Sequence, residues 1–259
     1  EIKFGTPKIF KLKNGIQVLV VEDNKLPAVT YSLTIDRNPI LDGNKVGVSS
    51  ILSAMLGNGT TSIPKDEFNE EVEFLGASVS VTFSGGSANT LTKNNDRVLE
   101  LWSDAIINPL LLEEEFDKEK TKLSESLKAD VNNIDAIADR VSSALSYGKE
   151  HPYGEFLSQE TLNNVTFQDV LDYHAKYYIP NNAYLVVVGD VNTKEIKSVL
   201  KEKFDKWKKG KMPENPEPSY TENLGLTEVN FIDVPSATQS TIIFTNNTKL
   251  KSSDEDYFA

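Results

Sequence analysis

Ser50, Ser53 and Ala54 stand at i, i+3 and i+4 in the run GVSSILSAMLGNGT, residues 47–60, and so share one face if that run is helical. A serine on such a face is a nucleophile only with a general base in reach. No Gly-x-Ser-x-Gly elbow accompanies either one. The other reading of three small side chains on one face is close packing against a neighbouring element. His151 and His174 are the chain's two histidines, one ahead of Pro152 in a turn, the other beside Tyr173 and Tyr177 in an amphipathic run. Two imidazoles alone lack the remaining ligands of a metal site, and structural hydrogen bonding suits both better. Glu119 and Glu125, with Ser126, lie in the run FDKEKTKLSESLK at 116–128. Gly57-x-Gly59 and Gly85-Gly86 read as turns and not as phosphate cradles, because no GxGxxG and no following Lys-Ser/Thr surrounds them.

The whole chain narrows the chemistry further. With 39 acidic and 27 basic residues among 259, the formal net charge is -12, which disfavours nucleic acid and anionic membrane surfaces as partners. No run approaches the roughly 20 apolar residues of a membrane span. No signal peptide is visible, and a chain that starts at Glu1 without Met fits a processed or trimmed N-terminus. The absence of Cys rules out disulfides and thiolate metal sites and suits cytoplasm and periplasm alike.

The elements that would position these residues follow from periodicity. Residues 9–12, 17–21 and 29–35 read as strands, the first two joined through Asn14-Gly15, a strong hairpin signal. A helix is expected over about 45–56, and another after Pro64 with Asp66 and Glu67 in its first turn. Strands return at 77–84 and 88–92, joined by Gly85-Gly86. From 95 to 147 the period is helical: Val98, Leu101, Trp102, Ala105 and Ile106 make one apolar face, 109–128 gives a second helix and 134–147 a third; another follows Thr166 through Tyr178, where Thr166 and Asp169 form a capping-box pattern. Residues 183–188 read as a central strand and 193–207 as a helix. Gly210, Pro213, Pro216 and Pro218 mark a linker. Strand-like runs follow at 228–234 and 240–246. The order implies an α+β fold, an antiparallel β-sheet covered by helices.

Residues 47–60 resemble the inverted zinc motif of the pitrilysin and insulinase family of zinc metallopeptidases (family M16), G-x-x-H-x-x-E-H-M-x-x-x-G-T. Gly47, Met55, Gly59 and Thr60 match; the two histidines fall on Ser50 and Ala54 and the glutamate on Ser53. Residues 116–128 are similar to the family's F-E-R-E-K-x-x-x-x-E-E-I, where Glu119 lands on a supporting acid and the third zinc ligand falls on Ser126. Asn108-Pro109-Leu110, His151-Pro152-Tyr153-Gly154, the run YYIPNNA at 177–183 and Val188-Gly189-Asp190 resemble further signatures of the family, in its order. Pro235 and Gln239 resemble the opening of its second homologous domain.

The resemblance implies a metallopeptidase-half fold, similar to that of mitochondrial processing peptidase. Residues 1–210 would be the N-terminal domain, 211–225 a linker, and 226–259 the truncated start of a second domain. It also implies a chain without metal, cofactor or catalytic residues, since Ser50, Ser53, Ala54 and Ser126 occupy the chemical positions. The strand carrying Ser80, Val81, Thr82 and Phe83 corresponds to the edge on which the family lays substrate peptides, although an ordinary sheet strand is an equal reading. The expected role is a non-catalytic subunit that pairs with a homologous chain carrying an intact His-x-x-Glu-His motif and completes a peptide-binding chamber. A stand-alone peptide-binding or structural module is one alternative, and a zinc endopeptidase with relocated ligands is another. The family's bacterial branches imply a periplasmic or envelope location.

Overall fold

The turn at Asn14-Gly15 folds Lys8–Lys11 (β1) antiparallel onto Gln17–Glu22 (β2), and Leu12 N–H closes it on the carbonyl of Ile16 at 2.9 Å. Ala28–Ile35 (β3) alternates strictly: Val29, Tyr31, Leu33 and Ile35 are buried, while Thr30, Ser32 and Thr34 are exposed. Such a strand has one face for helices and one for solvent. Ser78–Thr82 (β4), Gly85–Leu91 (β5) and Ala183–Gly189 (β6) complete a six-stranded sheet in the order β1-β2-β6-β3-β5-β4. This computed structural model describes residues 6–214, 217–219, 221–223, 225–235, 237–250 and 254–258.

The sheet is mixed and not purely antiparallel, because β2 and β6 run parallel. Parallel neighbours need a crossover, and the long stretch between these two strands, which carries β3, β4, β5 and several helices, supplies it. Nor is Gly85-Gly86 the turn between β4 and β5: Phe83 and Ser84 make it, and both glycines lie inside β5. A Cβ at Gly85 would stand 2.0 Å from the Leu33 carbonyl oxygen, and one at Gly86 2.3 Å from that of Ser80. Close backbone approach therefore requires glycine there.

Among the described residues the helices are Val48–Met55 (α1), Lys65–Phe74 (α2), Asn95–Ile107 (α3), Glu113–Ala129 (α4), Ile134–Tyr147 (α5), Gln159–Asn164 (α6), Phe167–Tyr177 (α7) and Thr193–Phe204 (α8). Thr166 and Asp169 cap α7 reciprocally, as their spacing predicts, and a second box, Ser158 with Thr161, starts the short α6 that periodicity did not reveal.

The described residues of 1–37, 48–120 and 166–214 make one compact unit, which holds the whole sheet. Its core is set by α3, whose Val98, Leu99, Leu101, Trp102, Ala105 and Ile106 are buried against β4, β5 and α8. The Glu22 carboxylate ties the end of β2 to the start of α8. It accepts the Thr193 hydroxyl and N–H as well as Lys8 Nζ, which hold its pKa down from 4.5 to about 2. A carboxylate depressed in the folded state adds stability above its unfolded pKa and loses it as pH falls through the folded one. Glu22→Gln is therefore expected to flatten the loss of stability between about pH 4.5 and about pH 2. Urea unfolding at stepped pH checks this, and an unchanged acid slope would refute it.

The described residues of 38–47, 121–165 and 215–259 make the second unit. Here Glu155 accepts the N–H groups of Asp42 and Gly43, and burial raises its pKa despite those bonds. His151 is nearly buried; Nδ1 accepts Tyr153 N–H, so Nε2 carries the proton and bonds the Ser219 carbonyl at 3.2 Å. Thr221 and Asn247 reach the carbonyls of Tyr147 and Ser146 at the end of α5. The strands expected at 228–234 and 240–246 do not form. Val229 and Phe244 are 90% and 94% exposed, and an alternating run with no surface to bury its apolar side has little reason to pair.

Candidate functional site

In α1 the packing face and the chemical face separate cleanly. Val48, Ile51, Leu52 and Met55 are buried, while Ser50 and Ala54 are exposed and Ser53 is half-buried. The small residues are thus not a close-packing face. Ser53 has a partner of its own: its Oγ accepts the N–H of Phe83 at 3.2 Å, where β4 has just ended. The tip of the same helix, Gly57, comes up against Val81, whose backbone nitrogen would lie 3.4 Å from a Cβ placed there.

The residues that follow α1 form a tight turn. Gly59 has φ +89°, and a Cβ on it would stand 2.7 Å from Lys65 N. Thr60 is buried, donates its backbone N–H to the Ile63 carbonyl, and accepts the N–H groups of Ser62 and Ile63 on Oγ1. Of residues 47–60, then, Met55, Gly59 and Thr60 serve the fold. The positions where imidazoles and a carboxylate would project carry only hydroxyls and a methyl group.

Ser126 lies on the later half of α4, exposed like Glu125, and belongs to the second unit, whereas Ser50, Ser53 and Ala54 belong to the first. Among the described residues no three His, Asp or Glu side chains gather in a way that could hold a metal ion.

β4 closes one side of the sheet and is paired only with β5 among the described residues. Val81 and Phe83 point into the core, while Ser80 and Thr82 face outward, where Ser80 meets Ser87 at 3.2 Å and Thr82 meets Ser84 at 3.2 Å. Part of the backbone of this edge is already engaged. Trp102 Nε1 donates to the Ser80 carbonyl, Phe83 N–H goes to Ser53, and Arg37 Nη2 donates to the Phe83 carbonyl at 3.0 Å. An added strand would therefore find its hydrogen bonds along 78–82 and not past Phe83.

Arg37 is a residue that reading the sequence missed. Its guanidinium lies flat on the Phe83 ring, 3.7 Å from the centroid, and burial lowers its pKa. Tyr173 packs on that ring at 4.9 Å, with Tyr177 a further 4.7 Å on. His174, expected to be satisfied by hydrogen bonds, instead has a buried Nε2 without a partner, and burial lowers its pKa. One arginine in a loop carries no pattern; only the fold brings it to the end of β4.

Two family models match the chain. One, described as insulinase (peptidase family M16), covers residues 17–152; the other, described as the peptidase M16 inactive domain, covers 164–259. An uncharacterized zinc protease of Rickettsia felis is 29% identical over 211 residues, 78% of this chain and 50% of that protein. Zinc protease PqqE of Helicobacter pylori is 29% identical over 210 residues, 76% of this chain and 46% of that one. The chain spans about half the length of the curated relatives it matches. Among solved structures, a peptidase M16 inactive domain from Pseudomonas fluorescens superposes with a TM-score of 0.74 at 20% identity, over 83% of this chain and 54% of that one. A protease from Helicobacter pylori gives 0.71 at 24%, over the same shares.

Proposed function

Because this chain belongs to the insulinase family of peptidases, M16, we propose that it is a non-catalytic member that pairs with a homologous zinc-peptidase subunit and helps hold extended peptides. The observation that carries this reading is the division within residues 47–60. The positions that shape the segment keep the family's residues, and those that would bind zinc and activate water are Ser50, Ser53 and Ala54. The Ser53 hydroxyl is moreover occupied by Phe83 N–H, a structural bond in place of a general base. A catalytic zinc site needs about three protein ligands and an open position, and neither α1 nor Ser126 offers one. In this reading residues 1–210 are one M16-like half, 211–225 a linker and 226–259 the opening of a second half. The edge at β4 is where a peptide would add as a strand, and the periplasm or cell envelope is the place of action.

A second reading, a zinc endopeptidase with relocated ligands, is favoured by the names of the relatives, which are zinc proteases. Co-purification from the source cells separates the two. The tagged full-length protein is expected to bring down a homologous chain with an intact His-x-x-Glu-His motif in near-stoichiometric amount, and cleavage of an extended peptide is expected to require both chains. A protein that stays alone at micromolar concentration and leaves such an enzyme's rate unchanged overturns the subunit reading. Cleavage by the protein alone, with an equivalent of zinc, establishes the rival.

A further inference from the structure

The net charge of -12 is not spread evenly, for residues 194–211 hold eight lysines against three acidic residues. The structure fastens this stretch to the end of the sheet where β1 turns into β2. Asn14 of that turn donates from Nδ2 to the carbonyls of Phe204 at 2.7 Å and Trp207 at 3.2 Å. Asn181 then binds Gly210 both ways, accepting its N–H at 3.0 Å and donating to its carbonyl at 2.8 Å. The Trp207 side chain is buried, so what the segment leaves outside is its lysines. Lys208, Lys209 and Lys211 are exposed, as are Lys11 and Lys13 beside the same turn and Lys201 in the last turn of α8. None of these six joins an ion pair among the described residues. The acidic neighbours are directed elsewhere. Glu202 pairs with Lys203 at 3.4 Å, Asp205 has one oxygen buried, Glu195 sits at the opposite end of α8, and Glu214 lies past Pro213. Lys206 acts on the Asp104 carboxylate and is not part of the group.

Six cations on one fastened ridge repel each other, and an anionic surface laid against them relieves that repulsion. We propose that this end of the first unit is a docking surface for a bilayer rich in anionic lipid. Nucleic acid fits it less well. Single strands are held by exposed aromatic platforms, often with arginine. Here the group contains no arginine, Phe10 lies beneath Lys197 Nζ at 4.9 Å, and Trp207 is buried. Lysine, a point charge on a long apolar stem, suits a diffuse layer of headgroups. Met212 and Tyr184 are 42% and 39% exposed, and both are side chains that a lipid interface takes in. Met212 follows Lys211 directly, and Tyr184 stands in one row with Gln17 and Lys11 across β6, β2 and β1. The acidic remainder of the chain does not forbid the contact, since charges more than about 8 Å away are largely screened at physiological salt. The surface stands whether or not the subunit reading above holds.

Flotation of the full chain with phosphatidylcholine vesicles, with and without about one-third phosphatidylglycerol, tests this. At about 0.1 M sodium chloride the chain is expected to float with the anionic vesicles and not with the neutral ones. At about 1 M, where the screening length is about 3 Å, it is expected to let go. Each lysine near such a surface is worth about fivefold in affinity, so Lys208→Gln with Lys209→Gln should weaken binding about 25-fold. The control is Lys25→Gln with Lys93→Gln, an equal change of charge at the opposite end of the sheet, beyond Glu22 and beside the bond from Thr92 N–H to the Pro27 carbonyl. It should bind as the original chain does. All four lysines are exposed, and thermal unfolding confirms that both pairs of substitutions leave the fold intact. No flotation with anionic vesicles, equal flotation with neutral ones, or equal losses from the two pairs overturns the proposal. A labelled single-stranded oligonucleotide is the competing polyanion. If it binds more tightly than the vesicles, and through Lys208 and Lys209, the surface is one for nucleic acid and the lipid assignment falls.

Discussion

Replacing Ser50→His, Ser53→Glu and Ala54→His together is expected to raise the chain's zinc affinity at least about 100-fold, since losing a group that merely orients a ligand already costs on the order of 10- to 100-fold. On the reading proposed above, the unmodified chain is expected to carry well under one equivalent of zinc and to cleave no peptide by itself. The reason lies in α1, which continues unbroken through Val48–Met55, so that positions 50 and 54 stand one turn apart on one face. Both are exposed, and imidazoles there displace no packed side chain. Ser53→Glu is the costly member of the set, because it removes the acceptor of Phe83 N–H, a loss of about 1–3 kcal/mol if that group stays dry. Competition against a zinc indicator, with circular dichroism to confirm the fold, reads the result. A triple variant that binds no tighter than the original would show that the helix face is not a latent metal site. A full equivalent of zinc on the original chain would show that other residues already hold the metal.

The same segment shows what a sequence discloses and what it withholds. Gly59 was legible as a turn glycine, and Met55 and Thr60 only through the family's motif; the structure gives each a local duty: a positive φ, a buried position one turn along, a side chain bonding two residues onward. The alternation of β3 and the capping box at Thr166 were legible because their signals are local. The parallel pairing of β2 with β6 was not, because it joins segments far apart in the chain and leaves no signature in either. Gly85-Gly86 misled, since a glycine pair that admits Leu33 and Ser80 closely looks, in sequence, like a glycine pair that turns. The runs at 228–234 and 240–246 have strand-like alternation, but alternation yields a strand only where a partner and a surface exist. Arg37 was invisible for the complementary reason, its surroundings being assembled from the turn after β4 and from α7.

Trp102→Ala is expected to cost about 3–5 kcal/mol of stability, a large share of the roughly 5–15 kcal/mol that holds a domain folded. The indole is 0% exposed and lies 5.8 Å from Tyr31 of β3 and 5.9 Å from Phe204 of α8, so its removal opens a cavity between sheet and helix layer. Neither neighbour can close that space, since both are themselves fully buried on separate elements. Nε1 adds a bond to the Ser80 carbonyl at 3.2 Å, which joins this core residue directly to the edge strand. Trp102→Phe isolates that second contribution: most of the ring contact stays, while the donor is lost, for about 1–2 kcal/mol. Urea unfolding of the two variants measures both, and a loss below about 1 kcal/mol for the alanine variant would contradict the packing account. The two variants also differ in their consequence for the edge. Trp102→Phe keeps most of the ring packed beneath β4 and should leave binding of a peptide along that strand unchanged, whereas Trp102→Ala loosens the strand's support and should weaken the same binding.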